Sequence, residues 1–579
     1  MLPAGLKSGK KVPAILETTR YGTLVKPGPA LRALTALGLA RLGVGGVPVP
    51  HPTKVDYARY SAHLRGTGSY MDALLEAGYA FVGVDVRGTG ASGGTRDMEW
   101  SVEEQGDVRT VIDWIVAQPW SDGRVGTLGV SYSGNTAEAA AASGHPALKG
   151  AALLYSDYDP MGHNAFPGGV FNERLVRLWS ESNLREDAGG TKSLFFSGPA
   201  PVDGPDGGRL LRAAISGHRT TDLYGAIRKV EFTDDKFHGE YDGDALAPFT
   251  LRDRIEASGI PLYVRVGWVD AGTVAGALER FLVYRNPQIL VVGPWGHAGW
   301  TEGGPFIAGA GDRKALDKAQ ADEVTAFFRE VFAGTRLPGQ VGKTIHYYTY
   351  GSGEWKESET WPMPGAEERR LYLAEGAGLS PRKPAEAGTD EYRVDYGADT
   401  GPGSRWRTNL GGGPVFYPDR AEQDAKLLVY TGEPLAEDTE IDGVPEAVLF
   451  AASSAGDAAY FAYLEAVAPD GKVVYLTEGI LKASHRAVSA PLPGRAAIGT
   501  FHSHHRADAL PAEAGRTYEL RVPFLPISVV VPAGYRLRVA IAGHDASCFA
   551  RIPASGEPII SVDHGGDRAS FIVLPVRGP

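Results

Sequence analysis

The chain has 579 residues, with 58 Lys and Arg against 69 Asp and Glu, a net charge of −11, and a single cysteine. An acidic balance argues against nucleic acid as a partner, because phosphate binding needs a basic surface. One thiol excludes an intrachain disulfide framework, a Cys-rich zinc site and an iron–sulfur cluster, and at roughly 150 residues per domain the length predicts two to four domains.

Residues 1–11 lack the hydrophobic core of a signal peptide. The most apolar stretch, 30–49, is broken by Arg32, Arg41 and several glycines, so no membrane span and a cytoplasmic location are expected. Short Val- and Leu-rich runs at 12–16, 80–86, 125–130, 150–155, 262–266 and 289–292 read as buried parallel strands. Between them, 101–118 is a helix opening on a Ser101/Glu104 capping box, with Val108, Val111, Ile112 and Ile115 on one face. An Ala-rich helix covers 136–143. Residues 160–256 interrupt the rhythm with helical patterns at 172–184 and 207–215, as an insertion capping a sheet would. Its acids Asp234, Asp235, Glu240, Asp242 and Asp244 read as a solvated face. An amphipathic helix at 316–332 closes this α/β part.

After about Gly339, strand-like runs recur with Gly/Pro turns at 345–350, 371–373, 426–430, 447–452, 472–475, 518–521, 528–531, 536–541 and 571–573. That texture predicts an all-β sandwich or jelly roll. The expected division is therefore an α/β domain in two parts (1–159 and 257–338), an inserted helical cap (160–256) and a β-sandwich (339–579).

The strongest local signal is Gly129-Val-Ser131-Tyr132-Ser-Gly134. A strand ends at Val130, a serine follows, and a helix rich in small residues begins at once, which is the strand–turn–helix of a nucleophile elbow and makes the two-part α/β domain (1–159 and 257–338) an expected α/β-hydrolase domain. The second glycine falls one place later than in G-x-S-x-G. The helix N-terminus and the N–H of Tyr132 would face an oxyanion. A serine nucleophile needs a base, and the base an orienting acid. Asp270 follows the strand in 262–266 and His297 follows the strand in 289–292, giving the order Ser, Asp, His.

Other motifs carry less. Gly88-Thr-Gly90-Ala-Ser-Gly93 fits G-x-G-x-x-G, but the next helix is capped only at Ser101, too late for a pyrophosphate. Gly342-Lys-Thr344 lacks the earlier glycine of a P-loop, which falls on Leu337. His502, His504 and His505 fit no common metal spacing and read as an exposed loop. Cys548 reads as a small buried apolar residue rather than a nucleophile. No cofactor or metal is expected.

The blocks Asp85-Val-Arg-Gly-Thr-Gly-Ala-Ser92, Gln118-Pro-Trp120, Gly129 to Gly134, Gly267-Trp-Val-Asp270 and Gly293-Pro-Trp-Gly-His297 resemble the cocaine-esterase-like (CocE/NonD) hydrolases, grouped with the X-Pro dipeptidyl-peptidases. The resemblance continues through Trp355, Trp361-Pro362, Gly432-Glu-Pro-Leu435, Glu478-Gly-Ile-Leu481 and His485-Arg486. It implies a helical cap over a Ser131–Asp270–His297 triad, with a jelly-roll, galactose-binding-like domain alongside. The late glycine at 134 is that family's form of the elbow. The family also uses a tyrosine hydroxyl after an early strand as an oxyanion donor, and Tyr21 matches that place. Two departures accompany the likeness. The family's leading hairpin would already be ending at Met1-Leu-Pro, as in a short form or a start set too late. Ala271, Gly272 and Thr273 stand where α-amino ester hydrolases carry amine-binding acids.

These readings converge on a serine hydrolase acting on a small-molecule ester, amide or short peptide, with no nucleic-acid or membrane partner. An X-Pro dipeptidyl-peptidase type exopeptidase is the alternative, for which Asp157, Asp159 or Glu181 would hold the substrate amine. A second alternative is a silent carbohydrate-binding or scaffolding protein.

Overall fold

The computed structural model describes residues 1–29, 57–190, 196–219, 221–334, 342–410 and 413–578, so the 30–49 stretch and the 338/339 boundary lie outside the described residues. Eight strands form the first sheet. Across it they run Glu354–Ser358, Lys343–Thr349, Gln288–Gly293, Leu262–Gly267, Leu148–Leu154, Ser121–Val130, Val12–Thr19 and Ala80–Asp85. All neighbours pair in parallel except the first two.

Period-2 alternation explains why both faces are covered. Ile15, Leu128, Ala152, Leu154, Tyr263 and Val291 point to one side, against helices Gly68–Glu76 and Arg313–Ala333. Their neighbours Ala14, Leu16, Ala151, Leu153, Leu262, Val264, Leu290 and Val292 point to the other, against Val102–Val116, Tyr132–Ala142 and Thr273–Val283. The helix read at 101–118 is capped as expected: the Ser101 side chain accepts from the Glu104 N–H at 3.2 Å. Glu104 reaches back one residue further than in a standard box, accepting from the Trp100 N–H at 3.2 Å.

The run at 345–350, read from sequence as the first strand of the all-β region, instead belongs to the edge of the α/β sheet. Lys343–Thr349 pairs in parallel with Gln288–Gly293 and then turns back through Glu354–Ser358. A short edge hairpin has the same alternating pattern whichever sheet it joins, so local sequence cannot distinguish the two.

The remaining C-terminal strands, from Ala366–Ala374 to Phe571–Arg577, form an all-β unit of 13 strands in one hydrogen-bonded network. The two units are tied by buried charge. Arg495 of the β unit pairs with Asp159 at 2.5 Å and Glu279 at 2.6 Å, and these contacts hold the Glu279 carboxyl down at about 2 despite its burial. Between Leu154 and Leu262, helices Glu173–Asp187, Gly207–Gly217 and Leu223–Ile227 form the cap. The cap acids are not simply solvated. Asp234 and Asp235 accept from Arg506, and Asp244 faces His505 at 3.0 Å, so this part of the cap docks on the β unit. Among the described residues, no helix is long and apolar enough to cross a membrane.

Candidate active site

Ser131 sits between the strand Ser121–Val130 and the helix Tyr132–Ala142 with φ 59° and ψ −124°. A non-glycine residue in this left-handed region is strained, and it is held here by neighbours on every side. The Ser131 N–H donates to Leu154 O at 2.9 Å, and Gly134 N donates to Ser131 O at 2.8 Å. The late glycine has a direct cause: a Cβ at Gly134 would lie 2.6 Å from Ser156 Cβ. At Gly129 it would lie 2.0 Å from Ser133 O. The hydroxyl of Thr136, one turn into the helix, donates to Thr18 O at 2.7 Å, locking the elbow to the strand that leads to Tyr21.

Asp270 and His297 follow adjacent parallel strands, and the structure brings them together. His297 Nδ1 donates to Asp270 Oδ1 at 2.8 Å, and Asp270 is fully buried. Burial by itself would lower the His297 pKa, but the Asp270 carboxylate, with a smaller contribution from Asp157, outweighs it, so the imidazole titrates above its ordinary value. Sequence reasoning missed Asn409, whose Nδ2 donates to the same Asp270 oxygen at 3.0 Å.

Ser131, His297, Asn409, Tyr21 and Tyr132 all line one cavity of about 410 Å³. Its walls are largely apolar: Met161, Leu175, Val176, Trp179 and Leu246 come from the cap, and Trp100 from the turn before the helix Val102–Val116. As the first helical residue, Tyr132 has no intrahelical acceptor for its N–H. Its phenol points away, donating to Glu104 at 2.7 Å and accepting from Arg96 at 3.1 Å. Tyr21 follows Arg20, a buried guanidinium paired with Glu99 and with Asp187. Burial drives the Tyr21 phenol well above its ordinary value, so it stays protonated.

Of the acids named for amine binding, Asp157 lines the cavity, accepting from the Asn164 amide. Asp159 is taken up by Arg495, and Glu181 lies on the exposed side of the cap helix beside Arg185. The glycine-rich stretch after Asp85 wraps that carboxylate, which accepts from Thr23 N and from Ala91 N; a Cβ at Gly90 would lie 2.1 Å from Asp85 Oδ2. His502, read as part of an exposed loop, is instead buried between the carbonyls of Ala487 and Arg521, while His504 meets His485. Cys548 is buried, which pushes its thiol up to about 12 and leaves no thiolate.

A strained serine on a strand–turn–helix, sharing a capped cavity with an acid-backed imidazole, is the arrangement of a serine hydrolase. The comparisons agree: the chain belongs to the X-Pro dipeptidyl-peptidase (S15) family, matched over residues 1–299, and matches the X-Pro dipeptidyl-peptidase C-terminal non-catalytic domain over residues 336–565. A Mycobacterium bovis protein named as a serine esterase is 36% identical over 612 aligned positions, covering 100% of this chain and 92% of its own. The cocaine esterase of a Rhodococcus species is 26% identical, covering 87% of this chain and 89% of its own. The crystal structure of a CocE/NonD family hydrolase from Staphylococcus aureus shares the fold, with a TM-score of 0.67 at 18% identity, covering 99% of this chain and 89% of that one.

Proposed function

We propose that this serine hydrolase cleaves carboxylic ester or amide bonds of small acyl substrates through a Ser131–His297–Asp270 triad. The observation that carries the reading is the Asp270-backed imidazole of His297 lining the same cavity as the strained Ser131. Ser131 Oγ attacks the carbonyl carbon while the free ring nitrogen of His297 takes its proton. The negative charge that develops on the carbonyl oxygen is met by the Tyr21 hydroxyl and the Tyr132 N–H. His297 then passes the proton to the leaving group, and a water molecule, deprotonated by the same ring, releases the acid from Ser131.

The apolar cavity walls and the relatives named as esterases favour an ester of an apolar acid as the substrate class. An exopeptidase reading draws on Asp157, a carboxylate on the cavity wall that would receive a free amine. Turnover of p-nitrophenyl acetate well above that of Gly-Pro-p-nitroanilide supports the esterase. Dependence of amide cleavage on a free N-terminus supports the exopeptidase.

A fluorophosphonate probe should label the protein at Ser131, and Ser131→Ala should abolish labelling and lower kcat by about 10⁶. Retention of most hydrolytic activity by that variant refutes the triad.

A further inference from the structure

We infer that Trp179, on the cap helix Glu173–Asp187, is a positioning residue that aims the hydroxyl of Tyr21 at the substrate oxyanion. The inference rests on the proposed triad and on Tyr21 as an oxyanion donor.

A phenol has one proton to give and lone pairs that accept, and an indole N–H can only donate. Trp179 Nε1 lies 3.1 Å from Tyr21 Oη. The tyrosine must therefore accept in this contact, and its single proton cannot be spent there. With that side of the oxygen occupied, the O–H turns toward the cavity that Tyr21 and Ser131 both line. Had the partner been a carboxylate or carbonyl, the same tyrosine would have given its proton away within the fold. Burial that keeps the phenol protonated acts in the same direction.

Trp179 is itself held. Its ring stacks on Trp100 at 5.7 Å and 24°, and Trp100 stacks on Tyr132 at 4.8 Å and 23°. Trp100 Nε1 donates to the Tyr132 carbonyl at 3.3 Å, and the Tyr21 ring meets Tyr132 edge-on at 5.9 Å. A column of three aromatic rings thus runs from the cap to the elbow, beside both oxyanion donors. The cap helix also holds the backbone before Tyr21, because Arg20 donates to Asp187 at 2.8 Å and to Asn183 O at 3.2 Å. The cap consequently does more than wall the substrate: it completes the oxyanion site.

The test is a kinetic series on a p-nitrophenyl ester. Trp179→Phe keeps a flat ring against Trp100 but removes the N–H, and should lower kcat about tenfold with KM little changed. Trp179→His, which retains a ring N–H, should recover part of that loss. In a Tyr21→Phe background, Trp179→Phe should cost nothing further, because the hydroxyl it orients is gone. Equal losses in the Phe and His variants, an effect confined to KM, or additive losses in the double variant would overturn the inference. Loss of activity in Tyr21→Phe without any in Trp179→Phe would refute this inference alone. No loss in Tyr21→Phe would refute the oxyanion role on which it rests, and activity in Ser131→Ala would refute the triad.

Discussion

Asn409 donates to Asp270 Oδ1 at 3.0 Å, the same oxygen that accepts from His297 at 2.8 Å. Asn409 lies within the region matching the non-catalytic C-terminal domain, whereas Asp270 follows a strand of the α/β sheet. The all-β unit therefore reaches into the cavity and fixes the acid behind the imidazole. Arg405, four residues earlier, donates to Trp268 O at 2.6 Å and anchors the same approach. Asp270 is wholly buried, so each donor it receives stabilises a charge that water does not reach.

Removing that donor is expected to disturb catalysis rather than folding. Asn409→Ala should lower kcat/KM about tenfold, equivalent to about 1.4 kcal/mol, the order of one hydrogen bond to a charged group. With one fewer N–H holding its charge, Asp270 pulls harder on the His297 proton, so the acid limb of kcat/KM should also move to higher pH. Steady-state kinetics across pH 5–9 would check both, and an unchanged kcat/KM would show that the contact is incidental.

Two helical glycines, Gly134 at the elbow and Gly106 in the helix Val102–Val116, predict opposite outcomes for the same chemical change. Gly134→Ala places a methyl 2.6 Å from Ser156 Cβ, so the turn carrying Ser131 must shift. A displacement of about 1 Å at a nucleophile costs on the order of 10²-fold in rate. Gly106 lies inside the helix Val102–Val116 with open space where its Cβ would be. Gly106→Ala should leave activity intact and raise stability by about 0.5–1 kcal/mol. Kinetics and urea unfolding of the two variants would separate these effects. An active Gly134→Ala enzyme would contradict the steric account of the late glycine.

Much of the site was legible because parallel strands buried on both faces read as continuous apolar runs, and each catalytic candidate stands just past one of them. Ser131, Asp270 and His297 could be nominated from the elbow motif, the strand ends they follow and their order. Asn409 could not, since it contacts a residue 139 positions away and no local pattern marks it. The pairing of Trp179 with Tyr21 spans 158 positions and was hidden for the same reason. The imidazoles of His502 and His504 misled because a dense polar run suggests solvent, whereas here the cap and the β unit close over it. Thr233 of the cap donates its N–H to His504 O at 3.0 Å, and Phe232 stacks on His485 at 4.9 Å.

Asp157 offers a test of the electrostatics around the base. His297 titrates above its ordinary value because the Asp270 and Asp157 carboxylates together outweigh the cost of burial. In the proposed mechanism the neutral imidazole takes the Ser131 proton, and a raised pKa keeps the ring protonated to higher pH. The acid limb of kcat/KM should therefore lie above about 6.5, the value of an unperturbed imidazole. Burial pushes the Asp157 carboxyl up to about 6, so it carries its charge over the pH range where the limb falls. Asp157→Asn removes that charge while leaving an oxygen to accept from Asn164, and should move the limb to lower pH. Esterase activity followed from pH 5 to 9 would show the displacement. A limb that stayed in place would mean that Asp270 alone sets the basicity of His297, and one that moved upward would contradict the electrostatic role of Asp157.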